Sequence, residues 1–211
     1  LYPGILQTAV PKDSSVKSYA DLKGKNFSPG KTVFSGNVTV ERLVKLYGIS
    51  YDDIKTAGGT IHRVGFKDSV ALMKDGHVDV FTALTNVPNA SFIALDFQPG
   101  IRFLPVEPDM MQKFVTQNPG FFPASIPGGA YKGVATDTPT LATATVLIAG
   151  KDLDNETAYR LTESLWKNHA EFVKVNKTWN SVKLDDALLG VAIPVHEGAM
   201  KYYAEKGVKK K

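Results

Sequence analysis

The spacing of apolar and polar residues along the chain changes period several times, and each change marks an element. "ILQTAV" at Ile5–Val10 reads as a strand closed by Pro11, and "SVKSYADLKGK" as a short helix stopped by Gly24. "KNFS" at Lys25–Ser28 is a second short strand, ended by Pro29-Gly30. Val40, Leu43, Val44 and Tyr47 then fall at i, i+3, i+4 and i+7, one face of a helix that Gly48 ends. "FKDSVALMKDG" at Phe66–Gly76 repeats the pattern, with Asp68 or Ser69 as cap and Gly76 as stop. "HVDVFTAL" at His77–Leu84 is almost continuously apolar, which suits a strand covered on both faces, as in parallel sheets.

"TNVPNASFIALDF" begins a helix with Pro88 in its first turn, and "IRFLPV" is a strand that Pro105 confines to an edge or an end. "PDMMQKFVTQNPG" is a helix, Phe121–Pro139 is irregular, and "TLATATVLIA" at Thr140–Ala149 is the last strand. From Asp154 onward the pattern is helical: Ala158, Leu161, Leu165 and Phe172 share one face of the longest helix. "SVKLDDALLG" and "HEGAMKYYAEKG" supply two shorter ones. Strands alternating with helices over the first two-thirds predict an α/β fold with a mostly parallel sheet.

Composition removes several classes of function. Hydrophobic residues make up 43% of the 211, enough to bury a core. The longest apolar run, Leu141–Ala149, falls well short of the roughly 18 residues that span a bilayer. Of the net charge of +4, three come from Lys209, Lys210 and Lys211, read as a solvated tail, so the body is nearly neutral and gives little reason to expect nucleic acid as a partner. With no cysteine there is no disulfide or thiolate chemistry, a composition compatible with an oxidising extracytoplasmic space.

Enzyme and cofactor motifs fail one by one. "HEGAM" places Met200 where the second histidine of a zinc motif must stand, and His196 reads as a helix-start residue. Ser35 lacks the flanking glycines of a nucleophile elbow, since Val33 and Asn37 hold those positions. Gly58-Gly59 and Gly128-Gly129 match no nucleotide loop, so no cofactor is expected. What remains are two strand-to-helix junctions rich in small hydrogen-bonding residues, "SPGKTVFSGN" at Ser28–Asn37 and "TALTNVPN" at Thr82–Asn89. In the first, Ser35 or Asn37 can cap a helix, or the free N–H groups around Ser35, Gly36, Asn37 and Val38 can hold an anion. No Glu or Gln follows at the capping-box spacing, where Val38 and Val40 stand. Lys31 and Arg102 are candidate counter-charges.

"SYADLKGKNFS", the "SGN" at a helix start, "YGISYDDIK", "LMKDGHVDVFTAL", "IPGGAYKG" and "IPVHEGAMKYYAEKG" occur in order, and together they resemble the TAXI family. These are extracytoplasmic solute-binding proteins of tripartite ATP-independent periplasmic (TRAP) transporters. The resemblance implies a type II periplasmic binding protein-like α/β fold with the ligand clamped between two lobes. It implies no enzymatic activity, a small carboxylate ligand such as glutamate or a dicarboxylate, a TRAP-type membrane permease as partner, and a periplasmic or extracytoplasmic location. It also implies a monomer when the protein is full length. The serine of the family's helix-start motif falls on Ser35 beside Gly36, with Asn37 where threonine is usual. The second junction carries over onto Thr85 and Asn86, and Tyr131 in "GGAYKG" matches a recurrent tyrosine.

Family members carry roughly another 100 residues before the point matching "LYPGILQ", a domain-sized segment. The expectation is therefore an N-terminally truncated chain. Residues 1–15 would be a crossover strand of the first lobe, 16–138 the complete second α/β lobe, and 139–211 the return strand and C-terminal helices that pack on the first lobe. A ligand-sensing domain of a regulator on the same fold is the alternative, and a hydrolase using Ser35 a weaker one.

Overall fold

The computed structural model describes residues 1–209, so Lys210 and Lys211 of the basic tail lie outside the described residues. The chain forms two compact units, Gly4–Ala142 in one, and Leu1–Pro3 with the segment from Thr143 onward in the other.

The larger unit is built on a six-stranded mixed sheet. β1 (Pro3–Pro11) runs antiparallel to β3 (Val80–Thr85), with Ile5 opposite Thr85 and Ala9 opposite Phe81. It is also antiparallel to β4 (Ile101–Phe103), while β2 (Phe27–Ser28) is parallel to β3. With β5 (Phe121–Ile126) and β6 (Thr138–Ala144), the order is β2-β3-β1-β6-β5, and β4 pairs with β1 beside that path. The fold is mixed α/β as expected, but the sheet is not mostly parallel. The apolar run at β3 reports burial on both faces and carries no information about the direction of its neighbour.

Alternate side chains of the strands enter two separate clusters. Leu6, Val10, Phe27 and Val80 pack with Val40, Leu43 and Val44 of α1 (Ser35–Leu46), with Tyr51 and Ile54 of α2 (Tyr51–Thr56), and with Phe114 of α5 (Pro108–Gln117). Ile5, Ala9, Phe81 and Ala83 pack with Met73 of α3 (Phe66–Lys74), with Phe92 and Leu95 of α4 (Ala90–Phe97), and with Tyr131. Each buried Leu or Phe contributes about 1.5–3 kcal/mol.

Several local expectations need correction. α3 starts at Gly65 with no side-chain cap, and neither Asp68 nor Ser69 caps it. Ser69 is buried, its hydroxyl bonded to Gly65 O (2.9 Å) and Ser28 Oγ (2.8 Å). Pro88 lies outside α4, before the cap Asn89, whose side chain accepts from Ser91 N–H. The stretch taken as irregular contains β5, with Pro123 inside it; β5 ends the sheet, where the missing N–H costs no ladder bond. The short helix after Ser18 is a single 3-10 turn, Tyr19–Leu22.

In the smaller unit, the expected long helix divides into α6 (Asn155–Lys167) and α7 (His169–Val175). Asn168 stands at the break, its side chain bonded back to Ser164 O at 2.8 Å, so Phe172 does not continue the face of Ala158 and Leu165. "SVKLDDALLG" forms only 3-10 turns, whereas the last segment is α8 (Glu197–Glu205), with His196 at its start as read. No described helix is long and apolar enough to cross a membrane.

Candidate functional site

Both candidate junctions belong to the larger unit, at the end of the sheet where the parallel strands β2 and β3 run out. The first begins after Ser28 with a turn through Gly30, whose φ of +87° suits a residue without a side chain. Phe34 then stands at the N-cap of α1. Its ring packs edge-on against Phe66, and it has no side-chain oxygen to offer the helix. The expected caps are absent. Ser35 is already the first helical residue and is exposed, and Asn37 faces inward, 3% exposed. Asn37 Nδ2 donates to Thr32 O (3.4 Å), and its Oδ1 and backbone O both accept from the Tyr51 hydroxyl (3.2 Å).

With no side-chain cap, the donors of the first turn divide. Asn37 N–H and Val38 N–H bond Phe34 O at 3.1 and 3.4 Å. The N–H groups of Ser35 and Gly36 have no acceptor among the described residues, and no acidic residue stands in the turn. Donors left open at the positive end of a helix attract negative charge. The turn is bordered by exposed Val33 and half-exposed Val38.

Gly36 ties this turn to the second junction. A Cβ built on it would lie 2.9 Å from Leu84 N and 3.5 Å from Leu84 Cβ, so the helix backbone rests directly on the strand one residue before Thr85. The Cβ direction of Gly36 is thus filled by β3 and is not open space for a ligand.

Thr85, Asn86 and Asn89 are bonded into one network. Thr85 Oγ1 donates to Asn86 Oδ1 (3.1 Å) and accepts from Asn89 Nδ2 (3.2 Å), and Asn86 Nδ2 donates to Pro88 O (2.7 Å). Tyr131 is buried against Phe92 and Phe103; its hydroxyl accepts from Asn89 N–H at 3.0 Å and donates to Gln7 Oε1. Burial pushes the Tyr131 phenol up to about 12, so it stays a neutral donor. Gln7, fully buried in β1, completes the network by donating through Nε2 to Asn86 O (3.1 Å) and Thr85 O (3.4 Å). Its only trace in the sequence is one long polar side chain inside an apolar strand. Tyr51, which holds Asn37, lies in a helix the apolar spacing does not show; the Ser50–Asp53 capping box was its signal.

Of the two candidate counter-charges, Lys31 lies at the first junction, with its Cε 3.6 Å from a Cβ built on Gly65. Arg102 is committed elsewhere, its guanidinium bonded to Ser14 O (2.9 Å) and Val16 O beyond the end of β1. Among the described residues, no three His, Cys, Asp or Glu side chains group as metal ligands.

Residues 1–207 match the NMT1-like family. The chain belongs to that family. Among solved structures, this NMT1-like chain is similar to the periplasmic aliphatic sulphonate binding protein SsuA of Escherichia coli, at 15% identity with a TM-score of 0.40, over 97% of this chain and 56% of that one. An ancestral arginine-binding protein bound to arginine is similar at 17% identity and a TM-score of 0.39, over 85% and 58% of the two chains. The L-cystine solute receptor of Neisseria gonorrhoeae is similar at 14% and 0.34, over 89% and 54%. The NMT1-like chain therefore spans about half the length of the structures it matches.

Proposed function

We propose that this NMT1-like chain is part of an extracytoplasmic, non-enzymatic solute-binding protein that captures a small carboxylate, a glutamate-like amino acid or a dicarboxylate, for a TRAP-type permease. The motifs resembling the TAXI family support the transporter assignment. One observation carries the ligand class: the uncapped first turn of α1 presents the Ser35 and Gly36 N–H groups with no acidic residue beside them. In this reading those two donors grip a carboxylate. Asn37 contributes through its inward bonds, which hold the turn in place, and Val38 borders the ligand. Thr85, Asn86 and Tyr131 shape the adjoining wall, and Lys31 balances a second negative group. The oligomeric expectation, a monomer when full length, belongs to the same proposal.

Titration of the isotope-labelled chain with succinate and with L-glutamate tests it through the amide resonances of Ser35 and Gly36. Saturable shifts at those two amides are expected, with a Kd on the order of 1 mM or tighter. Amides that stay unmoved while the ionic strength is held constant, for both compounds, rule the site out.

A further inference from the structure

We infer that Gln7 is a positioning residue, whose carboxamide holds the Thr85–Asn89 turn in the one arrangement that walls the proposed anion site. The inference rests on the reading of that site given above. Gln7 sits opposite Ala83 in the β1–β3 register, so its side chain is presented from the strand next to the turn and not from the turn itself. The carboxamide is used at both ends. Its oxygen accepts from the Tyr131 hydroxyl, and its nitrogen donates to two successive carbonyls, Asn86 O and Thr85 O. A flipped amide would set an oxygen against those carbonyls and a nitrogen against the phenol, so the network fixes one orientation.

Through Tyr131 the same side chain reaches Asn89 N–H, beside the α4 cap. The local bonds of Thr85, Asn86 and Asn89 connect members of the turn to one another. Thr85 ends β3 opposite Ile5, and beyond it Gln7 ties the turn to the sheet through Asn86 O and, by way of Tyr131, Asn89 N–H. It is fully buried, so water cannot replace a lost partner, and the unmatched carbonyls would push the turn toward other conformations. Leu84, on which Gly36 rests, immediately precedes the turn, so a displaced turn disturbs the seat of the α1 donors.

The test uses Gln7→Met and Gln7→Glu in the 211-residue chain, read by hydrogen-exchange protection of Asn89 and Ser91, whose amides bond Tyr131 Oη and Asn89 Oδ1. For Gln7→Met, protection at these two amides falls about tenfold at every pH, the loss of roughly one buried hydrogen bond, while Thr82 in mid-β3 keeps its own. For Gln7→Glu, the introduced carboxyl faces two carbonyls. Ionised, it repels them; protonated, it donates to one and still accepts from Tyr131. Burial raises the pKa of such a group, so protection is lost at about pH 8 and returns toward about pH 5, a profile that a purely structural residue would not give. Tyr131→Phe keeps the ring and removes the bridge; because it deletes the acceptor of Asn89 N–H outright, it is read at Ser91, whose protection falls likewise, and it carries the test should Gln7→Met fail to fold.

Unchanged protection in these variants, or an equal loss across the whole sheet, overturns the inference. Succinate titration of the same proteins completes the set: affinity falls with Asn89 protection and recovers with it in Gln7→Glu. Succinate affinity that ignores the state of the turn overturns the positioning role. A wild-type chain that binds no succinate, with the exchange pattern as expected, overturns the anion site and leaves the hold of Gln7 on the turn standing.

Discussion

At the residue scale, Gly36 and Gly198 show how a missing side chain can be structural. Gly36→Ala sets a methyl against the backbone nitrogen of Leu84, a sheet atom that cannot swing away. The substitution is expected to cost about 1–3 kcal/mol in urea unfolding and to abolish the carboxylate-induced shifts at Ser35 and Gly36. The nearby Gly30, Gly48 and Gly76 have positive φ and were legible as stops and turns, because a glycine after an amphipathic run ends it by backbone geometry alone. Gly36 was legible only as part of a motif. Nothing in the spacing says which strand its Cβ would strike. Asn37 departs from the expected cap for a related reason. Its side chain suits a cap on helix-start statistics, but Tyr51 offers a buried donor that the local sequence does not reveal.

At the element scale, the helix starts differ in how their donors are served, and the difference bears on function. Ser50 with Asp53 closes α2, Asn89 caps α4 and Asp154 caps α6, whereas α1, α3, α5 and α7 have no side-chain cap; of these four, α1 alone has no acidic residue in its first turn. At α8, His196 Nδ1 accepts from Gly198 N–H (3.2 Å) while Nε2 meets Leu153 O (2.9 Å). The proton therefore sits on Nε2. Gly198 lies so close to Asn155 O and Ala158 Cβ at the α6–α8 crossing that a Cβ there has no room. The "HEGA" core of the C-terminal motif is thus a helix start and a close-contact residue, not a ligand set. His196→Ala is expected to lower stability by about 1 kcal/mol through the lost cap, and Gly198→Ala by about 1–3 kcal/mol or more, both read by thermal or urea unfolding. The order of the two losses is the check, because a cap is replaced by water more easily than a helix crossing is opened.

At the scale of the whole molecule, each unit shows one property that no single element has. The Gly4–Ala142 unit buries Tyr19, Tyr51 and Tyr131 and half-buries Tyr47, and desolvation raises every one of these phenols above the ordinary value near 10, Tyr131 to about 12. A raised folded-state pKa means that the native state keeps its protons after the unfolded state has lost them. The stability they contribute is complete below pH about 10 and declines as pH rises from there through about 12. Urea midpoints measured over that interval should fall steadily, with the ring resonances of Tyr19, Tyr51 and Tyr131 keeping their neutral-phenol positions until the chain unfolds. The smaller unit leaves Leu147, Ile148 and Leu161 largely exposed around a cavity of about 580 Å³, a feature visible only once the helices are assembled.

Local sequence was enough for the alternation of strands and helices, the helix face of Val40, Leu43 and Val44, the glycine stops, and the two polar junctions. These depend on local periodicity and on backbone preferences that act within a few residues. Strand direction, the break at Asn168, the inward turn of Asn37, the seat of Gly36 on Leu84, and the joining of Gln7, Tyr131 and Asn89 across 124 positions of chain emerge only on folding. Those outcomes follow from which groups are desolvated together, and a buried donor selects its acceptor by proximity in space, whatever the distance along the chain.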